Sequence, residues 1–338
     1  MDGATLRRLI ERIDRAPLFA HSYAFHLNCR FGGTTPFDLL EFAHQHDLAG
    51  VKIHVEDGEE RSLMHMNPTE RKQFRKLARQ LGLRVHVETS STAPGVLELA
   101  IDIARDIGVE SIRCYPRYEG RVSEIVQRTT DDLRTIAKLD PEGHFRFAVE
   151  QHEDLKSTEL ATIVRAVGNP RLSILFDFGN MINAYEHPEE ALANMAPLIT
   201  EVHIKDVRII ADRSGWAHLA CKSGEGDINF PTLLFRLLLL GETVPQVTAF
   251  ALEEEVGMFA PAYRFPDEAE DPFIPTRDPS ATPLPQDESL PSRLERERHD
   301  AVGQIGYVRK ILAEMRALAV AHHDSTRGSR QSHGRQRP

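Results

Sequence analysis

From near residue 18 to near residue 255 the chain alternates between short apolar, β-branched runs and longer stretches with apolar residues at helical spacing. The runs predict strands over 18–27, 50–56, 83–89, 110–116, 145–152, 171–178, 199–206 and 247–255. The stretches between them predict helices over 36–47, 69–81, 94–107, 122–138, 156–167 and 187–196, and over 230–240 after the turn "SGEGD". Eight strands, each followed by a helix, point to an α/β fold of the (β/α)8 TIM-barrel type, with a doubly wound open sheet as the competing arrangement.

The same pattern sets the domain organisation. A short amphipathic helix opens the chain, and "PSRLERERHDAVGQIGYVRKILAEMRALAVAHH" (291–323) predicts a long C-terminal helix with Leu, Val, Ile and Met at helical spacing. Residues 1–323 then form one barrel domain. The Pro-rich, acidic stretch 256–290 is an insertion after the eighth strand, placed to cover the barrel mouth or to meet a neighbouring subunit of a homo-oligomer. The polar, basic tail 324–338 is expected to be disordered.

In barrels of this type the active site lies at the C-terminal ends of the strands. Polar residues gather there in this chain. The second strand carries Lys52, His54 and Glu56, the third His86 and Glu88, and the fourth Arg113 followed by Tyr115 and Arg117. The fifth ends on Glu150 and His152, the sixth on Asp177, the seventh on His203, Lys205 and Asp206, and the eighth on Glu253, Glu254 and Glu255. Residues two apart share a face, so Glu150 points with His152, and His203 with Lys205. If that face is the barrel interior, a Glu, an Asp, a His and a second Glu converge from four successive strands. Such an oxygen-rich set suits one divalent ion, Mn²⁺ or Mg²⁺ first, with Co²⁺ or Zn²⁺ as alternatives. Taken singly, each of these groups is an ordinary surface residue, and His44, His46, His322 and His323 read as solvated; the ordered repetition is what carries the argument.

Charge and cysteines narrow the partners. The 51 acidic against 41 basic residues give a net charge of −10, which disfavours wrapping a phosphate backbone. No apolar run reaches the roughly 18 residues of a membrane span, and the opening segment does not read as a signal peptide. Cys29, Cys114 and Cys221 form no CxxC pair, as expected of a cytoplasmic protein.

With these stretches in view, the chain resembles the xylose-isomerase-like TIM-barrel superfamily, which includes sugar isomerases and epimerases, hydroxypyruvate isomerase, inosose dehydratase, dehydroshikimate dehydratase and endonuclease IV. The resemblance covers about 20–255 and rests on "FAVEQHED", "LFDFGN", "EVHIKDV", "SGEGDINF" and "FALEEE", in that order. It implies Glu150, Asp177, His203 and Glu253 as metal ligands, with Glu254 and Glu255 as alternatives on the eighth strand. It also implies His152 beside the substrate, and Lys205 and Asp206 as substrate-contacting or supporting groups.

The chemistry implied is polarisation of a substrate carbonyl by the ion, with an enediolate formed as Glu150 and Glu253 move a proton. That makes the expected activity isomerisation or epimerisation of a small keto sugar or sugar acid. The same site also allows a lyase, dehydrating or decarboxylating a keto sugar acid or inosose. Lys52, His54, His86 and Arg113 complete the expected substrate contacts, and the cationic groups favour an anionic substrate. Two readings rank lower. One is a binding barrel without turnover. The other is a DNA-repair endonuclease, disfavoured because Asn180 stands where "D-x-x-H" would be expected and "GDINF" lacks "D-x-H".

Overall fold

The computed structural model describes residues 1–276 and 288–333, with side chains as far as Ser325 at the C-terminal end. Eight parallel strands close a barrel in chain order: β1 (Leu18–His21), β2 (Gly50–His54), β3 (Arg84–Glu88), β4 (Ser111–Cys114), β5 (Arg146–Glu150), β6 (Leu172–Asp177), β7 (Ile199–Ile204) and β8 (Ala249–Leu252), which pairs back onto β1. The open-sheet alternative is thereby excluded. Strand five shows why the sequence builds this wall. Phe147 and Val149 pack outward against the helices while Ala148 and Glu150 face inward, and all four are buried.

The longer helices are α1 (Gly3–Asp14), α2 (Pro36–Gln45), α3 (Pro68–Gln80), α4 (Pro94–Ile107), α5 (Val122–Arg134), α6 (Ser157–Val167), α7 (Pro188–Met195), α8 (Phe230–Leu238) and α9 (Leu290–His333), with a single helical turn at Ile136–Leu139 after α5. Their starts are written locally. Thr35 with Asp38, and Asn67 with Glu70, form reciprocal caps, each followed by a proline in the first turn, where its missing N–H costs nothing. Gly108, at φ +76°, ends α4 in the left-handed conformation that glycine adopts without strain.

Three features depart from the expected elements. The first strand stops at His21, and 22–32 continue as short helical turns. After β7 the chain makes an antiparallel hairpin, Asp206–Asp212 with Gly215–Cys221, joined by Phe259–Ala260 from the Pro-rich insertion. The C-terminal helix runs on to His333, into the stretch where the sequence predicts disorder; 334–338 and the insertion residues 277–287 lie outside the described residues.

The insertion and α9 are fastened to the barrel by specific contacts. Phe273–Ile274 pairs with Gly120–Arg121 before α5, and the buried Arg264 bonds Glu159 at 2.7 Å and Glu268 at 2.8 Å. Glu159 sits in the first turn of α6, so this part of the insertion lies on the side where helices begin, the C-terminal side of the barrel. Along α9, Ala301, Ile305, Val308, Ile311 and Leu312 are buried, Glu297 accepts the backbone N–H groups of Leu27 and Asn28 at 2.8 Å each, and Gln304 donates to the carbonyl of Ile204 at 2.9 Å. Among the described residues no helix is long and apolar enough to cross a membrane.

Candidate metal centre and active site

The barrel interior is charged. A small apolar cluster of Phe19, Ala249 and Ala251 occupies one end. Above it Lys52, His86, Ser111 and Glu201 form one polar layer, and His21, Glu88, Arg113 and His203 the next. Lys52 Nζ lies 2.6 Å from Glu201 Oε2, and His86 Nδ1 lies 3.3 Å from the same oxygen. Ser111 Oγ closes the layer with a hydrogen bond to Glu201 Oε1. An ionised side chain is stable inside a protein only when paired and hydrogen-bonded, and Glu201 meets both conditions, with Lys52 as its cation and His86 and Ser111 as its hydrogen-bond partners.

At the upper end, strands β5 to β8 bring Glu150, Asp177, His203 and Glu253 together, all buried. His203 Nδ1 lies 3.3 Å from Glu150 Oε1, 3.3 Å from Glu253 Oε2 and 3.8 Å from Asp177 Oδ2. Three atoms here, Asp177 Oδ2, His203 Nδ1 and Glu253 Oε2, are buried without a hydrogen bond, while Glu150 turns Oε1 to the same imidazole and pairs its other oxygen with Arg113. Buried polar atoms are rarely left so, and three at one focus beside Glu150 Oε1, all of metal-binding type, fit a divalent ion. Charge agrees. Glu88, Glu150, Asp177, Glu201 and Glu253 face only Lys52, Arg113 and Lys205 as buried permanent cations of the interior.

Neighbouring groups hold the set in place. Asn180 Nδ2 donates to Glu150 Oε1 at 3.0 Å, while the backbone N–H groups of Gly179 and Asn180 donate to Asp177 Oδ1 at 2.7 and 2.8 Å. Asp177 therefore has one oxygen occupied and one open. Arg113 pairs with Glu150, and Lys205 Nζ lies 3.3 Å from Asp177 Oδ2 and 3.5 Å from Glu253 Oε2. Burial raises the Asp177 carboxyl, and with Glu253 and Glu150 beside it the group reaches about 7. Burial would also raise Glu150, but Arg113 and His203 outweigh it and hold that carboxyl below its usual range. Burial opposes charge on His203, yet Glu253 and Glu88 push its imidazole well above the ordinary value.

The eighth strand settles into one phase. Glu253 faces His203 and Lys205, Glu254 turns outward to accept the Ser223 N–H at 2.8 Å, and Glu255 returns toward Lys205 at 3.6 Å. His152 stacks on Tyr115 with ring centroids 3.9 Å apart, and Arg113 lies over the other side chain of that pair, 4.7 Å from the Tyr115 centroid. His54 bonds Ser90 Oγ at 2.8 Å and stacks on Tyr23; burial, then Arg113, pushes its imidazole down to about 4.

Three of the expected substrate contacts sit elsewhere. Lys52 and His86 lie in the layer below the four-residue set, paired with Glu201, because each sits two residues nearer the start of its strand than His54 and Glu88. Asp206 points into the following loop, where it accepts the N–H groups of Gly224 at 2.8 Å and Gly226 at 3.0 Å. A Cβ on Gly226 would sit 2.1 Å from Asp206 Oδ1, so the "SGEGD" turn needs glycine there. Conversely, His21 and Glu201 join the site region without having been singled out, and Asn180, noted only as a departure from the endonuclease pattern, supports Glu150. The signal for His21 was its place at the end of the first strand; Glu201 gave none beyond alternation with Val202.

Known proteins bear on this arrangement. The profile of the xylose isomerase-like TIM barrel matches residues 40–245. The chain belongs to that family. The uncharacterized protein YihM of Escherichia coli (strain K12) is 46% identical over 313 residues, 93% of this chain and 96% of that protein. The 3-oxo-isoapionate decarboxylase of Pectobacterium atrosepticum is 26% identical over 176 residues, 50% of this chain and 62% of that enzyme. Among solved structures, D-psicose 3-epimerase in the presence of D-fructose superposes with a TM-score of 0.61 at 13% identity, covering 88% of this chain and 99% of that one. The IolI protein with a zinc atom gives 0.59 at 13% identity over 90% and 99% of the two chains. At such identities the structures speak for the fold.

Proposed function

We propose that the protein is a divalent-metal-dependent isomerase or epimerase of a small keto sugar or sugar acid, with Glu150, Asp177, His203 and Glu253 as the ligands. The observation that carries this is the convergence of Glu150, Asp177 and Glu253 on His203 Nδ1, with Asp177 Oδ2, His203 Nδ1 and Glu253 Oε2 buried without a hydrogen bond. When bound, the ion supplies Lewis-acid polarisation of a carbonyl, worth several kcal/mol of stabilisation as negative charge develops. A zinc-bearing and an epimerase neighbour of the same fold support the reading.

The chain's own groups do the rest. Glu150 and Glu253 flank the same imidazole nitrogen and are the proton-transfer pair, one taking a proton from the carbon beside the carbonyl and the other returning one. Lys205, buried between Asp177, Glu253 and Glu255, offsets their negative charge and can donate to a substrate oxygen. His152 on Tyr115 forms a flat apolar-faced wall for a sugar. The closed interior excludes water from the acidic carbon.

One observation favours a second reading, decarboxylation or dehydration on the same residues. Arg113 is buried with Nε and Nη1 unbonded, which suits a carboxylate-bearing substrate, and the decarboxylase relative named above acts on an oxo acid by its name. One experiment separates them. Protein stripped with chelator and reloaded with Mn²⁺ or Mg²⁺ is incubated in D₂O with keto sugars and keto sugar acids. Deuterium entering a retained carbon skeleton supports the isomerase or epimerase; released CO₂ or an unsaturated product supports the lyase. Turnover that survives complete metal removal defeats both.

A further inference from the structure

We propose that Glu88 is a positioning residue for the ion: it fixes the protonated nitrogen of His203 and so presents the Nδ1 lone pair to the ligand set. This rests on the metal-centre reading above. Glu88 is fully buried at the end of β3, and its two oxygens take one imidazole each. His203 Nε2 lies 2.8 Å from Oε1, and His21 Nε2 lies 2.9 Å from Oε2. An ionised carboxylate only accepts hydrogen bonds, so both ring nitrogens carry the proton. For His21 a second contact fixes this independently, because the Tyr23 backbone N–H donates to its Nδ1 at 2.9 Å.

Two permanent cations stand beside the same carboxylate, Arg113 with Nη1 at 3.7 Å and Lys52 with Nζ at 3.4 Å. With Nε2 committed downward, Nδ1 is the one nitrogen of His203 left to face Glu150, Asp177 and Glu253. The geometry also limits the number of ions. His21, Glu88 and His203 are close enough together to hold a metal, yet both imidazole protons of that trio are spent on Glu88. One centre, with Glu88 behind it, follows.

The test uses the full chain, stripped of metal and titrated with Zn²⁺ against a competing chelator, for the wild type and Glu88→Gln. Glutamine offers one acceptor and one NH₂ donor, so one of the two imidazole N–H groups must face a donor. Losing such a supporting partner costs about 10–100-fold in metal affinity, and that weakening is expected for Glu88→Gln. Long-range ¹⁵N–¹H spectra of the Zn²⁺-loaded wild type, with His203→Gln to assign the signals, should show Nδ1 ligated and Nε2 protonated. A purely structural role for Glu88 would not fix that pattern. Ligation through Nε2, or unchanged affinity in a folded Glu88→Gln protein, overturns the proposal while leaving the metal centre standing. If Glu88→Gln does not fold, the wild-type spectrum decides alone. Failure of the wild type to bind Zn²⁺ overturns this proposal and the metal-centre reading together.

Discussion

The two halves of the barrel interior hold similar residue types and use them differently. Strands β5 to β8 bring Glu150, Asp177 and Glu253 around His203 Nδ1, and Asp177 Oδ2, His203 Nδ1 and Glu253 Oε2 have no hydrogen bond. Strands β1 to β4 present His21, Lys52, His86, Glu88 and Arg113, most of whose charged atoms are already paired with a partner. Under the proposed function one half receives a cation, and the other is the counterweight that makes so many buried carboxylates tolerable. A buried charge costs far more alone than paired, so neither half is stable in this form without its opposite.

Substitutions in the receptor half should act on binding and turnover and leave the fold in place. Glu150→Gln should lower turnover by about 10²–10⁴-fold, the usual contribution of a positioned acid–base group, with circular dichroism unchanged. Asp177→Asn should abolish the thermal stabilisation that a bound ion confers, about 2.7 kcal/mol when metal is at a hundredfold its Kd, read as a melting shift with Mn²⁺ in the wild type and none in the variant.

The counterweight half should respond in the opposite sense. Lys52→Met leaves Glu201 buried without its cation, and breaking such a pair costs about 3–5 kcal/mol. Urea unfolding measures it. A variant that is as stable as the wild type but binds metal poorly would erase the distinction between the halves.

Asn180→Ala tests the seam where a loop residue supports a ligand. Removing its bond to Glu150 should weaken metal binding about tenfold, at the lower end for a supporting partner, with little change in unfolding. Outside both halves, Asp206→Ala should cost about 1–3 kcal/mol by freeing the loop N–H groups it holds, with chelator competition unchanged. Altered metal affinity there would extend the site into the hairpin loop.

Much of this was legible because the relevant rules are local. The "FAVE" run predicts an outward Phe147 and Val149 and an inward Glu150, and the structure has them so. Eight such runs gave eight barrel strands. The hairpin at 206–221 escaped because its first strand follows β7 with a single residue between them, so one polar-ended strand stood in for two elements. Lys52 and His86 were assigned to the mouth for a related reason. Alternation reveals which face a residue occupies, but two residues along a strand change its depth by about 6.6 Å, and depth follows from the stagger between strands.

The sequence by itself determined the number of strands, the alternation of faces along each and the chemical types at their ends, since these follow from periodicity two and from the location of turns. Only the closed barrel decided which inward groups meet. It set Glu253 rather than Glu254 against His203, sent Lys52 to Glu201, and put Glu88 behind the ligand set. Those choices depend on register across strands far apart in the chain, where hydrogen bonding of the backbone, not the identity of any one side chain, fixes relative height.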